Sequence, residues 1–177
     1  MPDYFKQLAV HFGLDKAAHK RNPISVTHGL KRGPRITNPA AISFYTTAMG
    51  ALLWPTLTVR PEIAFTISML SSVNHFFTKG HLNTIKQIII YLASTPNDSI
   101  TYDGHCRFIE HTFANANWGA NYHGERKLQS GFVVMLAGGA SSWGSKHQKS
   151  VMLSPKEAEF YAISEATAAT LTTVKDH

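Results

Sequence analysis

The 177-residue chain has a single cysteine, Cys106, so an internal disulfide is excluded and a structural zinc site has little to be built from. No run of about 18 apolar residues occurs, which rules out a membrane-spanning helix. The opening Met1-Pro2-Asp3-Tyr4-Phe5-Lys6 lacks the basic and apolar regions of a secretory leader, and the expectation is an intracellular protein, cytoplasmic or nuclear. Acids are scarce, 11 against 17 bases, giving a net charge of +6 and a pI near 9.5. With 44% hydrophobic and 16% charged residues, the composition argues against disorder and for one domain, or one domain plus an arm.

The basic excess is concentrated. Residues 1–40 hold seven bases and two acids, and from Lys16 to Arg35 there are six bases and no acid. Pro23, Gly29, Gly33 and Pro34 punctuate this stretch, so residues 16–40 read as a basic connector rather than a helix. One use of such a connector is solvation. The other is contact with phosphates, for which Lys31, Arg32 and Arg35 are the candidates.

Helical spacing dominates the first half. Tyr4, Leu8 and Phe12 recur at i, i+4 and i+8 before Gly13, predicting a short amphipathic helix. A second helix is expected over Tyr45–Trp54, closed by Pro55. Arg60-Pro61-Glu62 opens a third, with Ile63, Ile67 and Leu70 on one face, because proline suits a helix start. A fourth is expected over Asn83–Leu92, with Ile85, Ile89 and Leu92 facing inward and Pro96 beyond its end.

The period then changes. Ile100-Thr101-Tyr102 before Asp103-Gly104 reads as a strand entering a turn, and further strands are expected over 107–118, 131–136, 140–143 and 148–153. Gly138-Gly139 is placed as the turn between two of them. Ser154-Pro155-Lys156-Glu157 is a full helix-start signature, with serine as cap, proline in the first turn and glutamate completing a capping box. That helix is expected to reach about Thr170.

Two positions invite chemistry. Glu159 shares a helix face with Ala162, Ile163 and Ala166, and a carboxylate facing a sheet is costly unless paired or bound to a cation. Along Phe113–Trp118, strand alternation puts Phe113, Asn115 and Asn117 on one face and Ala114, Ala116 and Trp118 on the other. Aspartates at 115 and 117 would read, with Glu159, as ligands for a hard divalent cation. The residues are asparagines, whose amide oxygen carries no charge and cannot bridge two metals. His75 and His81, or His105, Cys106 and His111, do not have zinc spacing. Asn97-Asp98-Ser99 matches a glycosylation acceptor without a secretory context. Trp118 and Trp143 read as core or hairpin packing residues, the alternative being an exposed aromatic that stacks on a base. Lys146 and Lys149, in Lys146-His147-Gln148-Lys149, are either solvated or contacts for a nucleic-acid backbone.

These segments resemble the C-terminal part of the copia-type retrotransposon polyprotein, the tail of the reverse transcriptase followed by its ribonuclease H domain. The stretches that carry the resemblance are Y-T-T-A-M-G-A-L-L-W, R-P-E-I-A-F, H-L-N-T-I-K-Q-I-I-I-Y-L, N-A-N-W-G-A, S-G-F-V-V-M-L, S-S-W-G-S-K-H-Q-K-S-V and S-P-K-E-A-E-F-Y-A. They keep the family's order and spacing over about 125 residues, from Tyr45 to Ala169. The resemblance implies a helical reverse-transcriptase tail over residues 1–95 and a ribonuclease H-like domain over 96–177. The fold class is then α/β (α+β): a helical N-terminal half, then an incomplete mixed sheet with a packed helix.

In that family, carboxylates hold two Mg²⁺ ions that cleave the RNA strand of an RNA–DNA hybrid. The helix glutamate of the motif falls on Glu159. The first-strand aspartate falls on Asn115, and the second acid of the D-A-D-W motif on Asn117. The family's further aspartates are expected beyond His177, and the adjacent aspartates of the polymerase are absent from the chain. The expectation is therefore a polyprotein remnant with a degraded site, in which Glu159 is the remaining metal ligand and Mg²⁺ is not bound productively. Two rival readings stay open: a non-catalytic module binding an RNA–DNA hybrid or another nucleic acid through the basic arm, and a pseudogene product without a selected role. No membrane partner is expected, and the sequence leaves the oligomeric state open.

Overall fold

The computed structural model describes residues 1–24, 33–34, 36–105, 110–117, 129–147 and 154–175. It is of the expected class, helices first and then a sheet with a packed helix. The chain divides into two compact units, Met1–Ser99 and Ile100–His177. Among the described residues, no helix is long and apolar enough to cross a membrane.

The first unit contains α1 (Pro2–His11), α2 (Pro39–Thr58), a single 3-10 turn (Pro61–Ile63), α3 (Ala64–Ser71) and α4 (Lys79–Ser94). α1 stops where Gly13 takes a left-handed φ of +65°, the conformation glycine adopts without strain. Ile63, Ile67, Leu70, Ile85, Ile88, Ile89 and Leu92 are all buried. Each contributes roughly 1.5–3 kcal/mol by leaving water, so these faces hold the unit together. α4 starts four residues before the expected Asn83, because Thr78 and His81 form a reciprocal cap. In it the Thr78 N–H donates to His81 Nδ1 at 2.9 Å.

Pro55 does not close α2, contrary to the expectation from sequence. The helix continues through it to Thr58. A proline inside a helix has no N–H for the carbonyl four residues back, which here belongs to Ala51. That carbonyl instead accepts from the Tyr4 hydroxyl of α1 at 2.8 Å. The helix tolerates its proline because another helix supplies the missing donor. Nearby, the Tyr45 hydroxyl donates to the Leu70 carbonyl at 2.8 Å and its ring stacks on Phe77 at 4.1 Å. Burial pushes this hydroxyl well above the usual phenol range.

Arg60 is the most demanding residue of this unit, because its charged side chain is only 1% exposed. Nε donates to Glu62 Oε1, and the two terminal nitrogens donate to the Thr95 carbonyl and hydroxyl at 2.8 and 2.7 Å. The guanidinium also lies 5.5 and 5.1 Å from the ring centroids of Phe5 and Tyr91. Thr95 is the C-cap of α4, so the cation meets a helix end whose carbonyls lack partners and carry partial negative charge.

In the second unit, β1 (His111–Asn117), β2 (Gln129–Leu136) and β3 (Gly139–His147) form a sheet in the order β1-β2-β3, and α5 spans Pro155–Lys175. Both strand pairings are antiparallel; the mixed character implied by the resemblance is not seen among the described strands. Phe113 pairs with Val133 and Asn115 with Gly131. Residues 100–102 are not the strand expected from their sequence; they lead to a tie with the β2–β3 turn. The Asp103 N–H donates to the Ala137 carbonyl at 2.7 Å, and the Tyr102 hydroxyl to that of Ala140 at 2.8 Å. The strand expected over 148–153 lies outside the described residues, as do Lys31, Arg32, Arg35, Lys149 and Trp118. The hairpin turn is centred on Ala137-Gly138, one residue earlier than expected, with φ of +47° and +81°. A two-residue turn of this twist needs positive φ at both centres, and alanine is the strained member.

Replacing Ala137 with asparagine, which tolerates that conformation, is expected to stabilise the protein by about 0.5–1 kcal/mol, read as a higher urea midpoint with an unchanged slope. Arg60→Ala is expected to cost about 3–5 kcal/mol in the same measurement, and Arg60→Lys less, since an ammonium restores charge without the planar fork.

Candidate functional site

The start of α5 is set by its cap: Ser154 Oγ accepts from the Glu157 N–H at 3.2 Å. The helix then lies on one face of the sheet. Ala162 and Ala166 are buried, and their small side chains allow close approach to β1 and β2. Ser130, 2% exposed, donates from Oγ to Glu165 Oε2 at 2.9 Å. Thr112 and Thr170 join by their hydroxyls at 2.9 Å. The Thr170 proton is committed to the Ala166 carbonyl at 3.0 Å, so Thr112 is the donor between the two.

These contacts identify the covered face. Thr112 and Ser130 belong to it, and with them, by alternation and register, Ala114, Ala116, Phe132 and Val134. Asn115 is on the opposite face and exposed. β1 is therefore not the buried strand that its apolar and amide residues suggested. Its first five residues, 111–115, are all exposed.

Glu159 is not covered by the sheet. It is exposed, as is Ile163 of the same expected stripe. The buried stripe is Ala162 and Ala166, and the carboxylate that meets the sheet is Glu165. Level along the sheet can be estimated from Thr170, which sits beside Thr112. Eleven helical residues at 1.5 Å, about 16 Å, match about five strand residues at 3.3 Å. Glu159 therefore lies at or beyond the Asn117 end of β1, on the α5 side of the sheet, whereas Asn115 is on the other side. The structure does not bring Asn115 and Glu159 together. Lys146 is exposed near the end of β3 and pairs in register with Ser130.

Ser130 and Glu165 escaped the sequence reading. Their signal was present: Glu165 follows Ala162 by three residues, on the side of the stripe away from Ile163. An open groove of about 580 Å³ runs between β1 and α5, lined by Thr112, Phe113, Ala114, Ile163, Ala166 and Thr167 among others. Among the described residues, no three histidine, cysteine, aspartate or glutamate side chains cluster as a metal site.

Comparison with known proteins gives the chain a context. It is 32% identical over 139 residues to a retrovirus-related Pol polyprotein from transposon RE1 of Arabidopsis thaliana, covering 78% of this chain and 9% of that protein. It is 32% identical over 121 residues to the corresponding polyprotein from transposon TNT 1-94 of Nicotiana tabacum, covering 68% of this chain and again 9% of the relative. A secreted RxLR effector protein 161 of Plasmopara viticola is 31% identical over 125 residues, and the match spans 86% of it. The chain thus spans only a small part of the length of the Pol polyproteins it matches. No family model matches, and no solved structure matches.

Ser130→Ala is expected to lower stability by about 1–2 kcal/mol, because it leaves the Glu165 carboxylate without its hydroxyl donor. Urea unfolding of this variant beside Glu165→Gln, which keeps an acceptor for Ser130, measures the effect; equal losses in the two would contradict the assignment.

Proposed function

The chain belongs to the copia-type retrotransposon Pol family, and on that premise we propose that its second unit is a ribonuclease H-like domain without hybrid-cleaving activity. Residues 1–95 are then the tail of a reverse transcriptase and 96–177 the ribonuclease H-like part. The observation that carries this reading is the pair of amides on β1, Asn115 and Asn117, where the resemblance calls for carboxylates.

Two-metal hydrolysis of a phosphodiester needs negative oxygens that hold and bridge two Mg²⁺ ions. An amide oxygen can coordinate, but it is neutral and leaves the ions' charge uncompensated. Asn115 also lies on the sheet face away from α5, so it does not converge with Glu159. The donor set formed by Glu159, Asn115 and Asn117 does not fit a two-Mg²⁺ centre, and no catalytic step is derived through one.

The excess of bases in residues 1–40 supports a second use of the chain, binding nucleic acid without cutting it. Both readings are tested with one ligand, an end-labelled RNA–DNA hybrid incubated with the purified protein and Mg²⁺ or Mn²⁺. The expected result is no cleavage beyond that of the Glu159→Gln variant; cleavage that depends on Glu159 would overturn the first reading. Binding of the same hybrid that falls steeply with salt supports the second reading. Binding that is absent or insensitive to salt removes it.

A further inference from the structure

We propose that the cap at the start of α4 is an acid-sensitive latch: protonation of His81 opens the first turn of the helix and releases the Gly33 segment that packs on it. The His81 side chain is fully buried. Its Nδ1 accepts from the Thr78 N–H at 2.9 Å and lies 2.8 Å from the Thr78 hydroxyl oxygen. That oxygen accepts in turn from the His81 N–H. A ring nitrogen that accepts from an N–H carries no proton, so this cap holds the neutral imidazole with its proton on Nε2. Protonation at Nδ1 sets two donors, Nδ1–H and the Thr78 N–H, against each other. It also places a cation at a helix N-terminus, where the dipole opposes it.

A buried cation needs an acid beside it, and the four acids of Met1–Ser99 are held at the other end of α4. Asp15 lines a hollow with Ile90 and Ala93. Glu62 accepts from the Tyr91 hydroxyl, and Asp98 lies 4.0 Å from the Arg60 that binds Thr95. Asp3 precedes Tyr4 and Phe5, which meet Ala51 and Arg60. Residues 90–95 are at least nine positions from His81, about 14 Å or more along the axis. α2 and α3 carry no charged side chain, and the Tyr45 hydroxyl of α2 donates to Leu70. Lys79 and Lys86 of α4, His11 at the end of α1 and His75 ahead of the cap are exposed, and none is an anion. Residues 16–61 add bases but no acid.

The cap fixes more than a helix end. The Phe77 ring, next to Thr78, stacks on Tyr45, and the Phe76 carbonyl accepts from the Gly33 N–H at 3.4 Å. Gly33 comes so near the Thr78 methyl group that a Cβ at residue 33 would collide with it. Gly33 belongs to the basic connector, so the capped Thr78 also sets where that connector meets the helical unit. The folded chain excludes a proton that the unfolded chain binds. Stability is therefore complete above the ordinary histidine range, about pH 6.5, and is lost as pH falls through and below it.

The test is carried out on the full chain. Imidazole nitrogen NMR of the wild type is expected to show His81 neutral and protonated on Nε2 at pH 7, and still neutral at pH 5.5, where free imidazole is largely charged. Protection of the Thr78 and Gly33 amides from hydrogen exchange, corrected for the intrinsic rate at each pH, is expected to fall together below the histidine range, by about tenfold per pH unit, the slope of one proton. Urea unfolding from pH 7.5 to 5 compares the wild type with His81→Gln, since glutamine at this position can accept from the Thr78 N–H and does not titrate. The wild-type midpoint is expected to fall more steeply in acid than that of the variant. A charged His81 in the folded chain at pH 5.5 overturns the proposal, and this reading does not depend on the variant folding. So do midpoints that run parallel across the range. Loss of protection at Thr78 that leaves Gly33 protected overturns the release of the connector.

Discussion

The helical unit is organised around a cation that has no access to water. Burying the Arg60 guanidinium is unfavourable by several kcal/mol unless its donors are matched. Matching them draws in the Glu62 carboxylate, the end of α4 at Thr95, and the rings of Phe5 and Tyr91. α1, the 3-10 turn and α4 cannot then shift independently, because each supplies one wall of the same cavity. The Tyr91 hydroxyl also donates to Glu62 at 3.2 Å, so the carboxylate is held from two sides. The Arg-Pro-Glu motif, read as a helix start, is more than that: proline sets the backbone so that residues 60 and 62 can meet.

Elements whose signal is periodic were legible in the sequence. The faces formed by Ile63, Ile67 and Leu70, and by Ile85, Ile89 and Leu92, are buried as the 3.6-residue period requires. Two of the three misreadings share one cause, a partner distant in sequence; the third is a cap three residues away. Pro55 was read as a stop because the donor that rescues the Ala51 carbonyl, Tyr4, lies 47 residues away. The capping role of His81 depends on a side chain reaching back to Thr78, which shifts the helix start without altering the apolar period. Residues 100–102 alternate like a strand, yet this stretch is tied to the β2–β3 hairpin by the Asp103 N–H, which donates to Ala137, and by the Tyr102 hydroxyl, which donates to Ala140.

The sheet unit shows the same limit at the candidate site. The expected stripe on α5 was defined by four residues, of which the structure buries only Ala162 and Ala166. A helix lying on a sheet edge buries a narrow line, and a wide stripe overstates it. Ile163 belongs to that excess width, whereas Glu159 lies within about 20° of Ala166 around the helix and is exposed in the second turn of α5. Glu165, on the other side of the line, received no functional reading, although it is the glutamate that reaches a buried hydroxyl. Strand alternation separated Asn115 from Ala114 correctly, but nothing local says which of the two faces a helix will cover.

The amides on β1 bear on stability as well as chemistry. Carboxylates a few ångströms apart repel by about 4 kcal/mol at an effective dielectric of 20, and a bound cation must offset that. A domain bearing such a cluster therefore couples its fold to the ion. With Asn115 and Asn117 in place the repulsion does not arise, and the unit is held by the packing of Ala162 and Ala166 and by the Ser130–Glu165 bond. Glu159 is exposed and requires no compensation for lost hydration. Glu157, in the first turn of α5, is favoured by the helix dipole. Either glutamate is thus compatible with the fold for reasons unrelated to catalysis, and a retained Glu159 is no measure of retained hydrolysis. The informative positions are those on β1, where the resemblance calls for carboxylates and the chain carries amides.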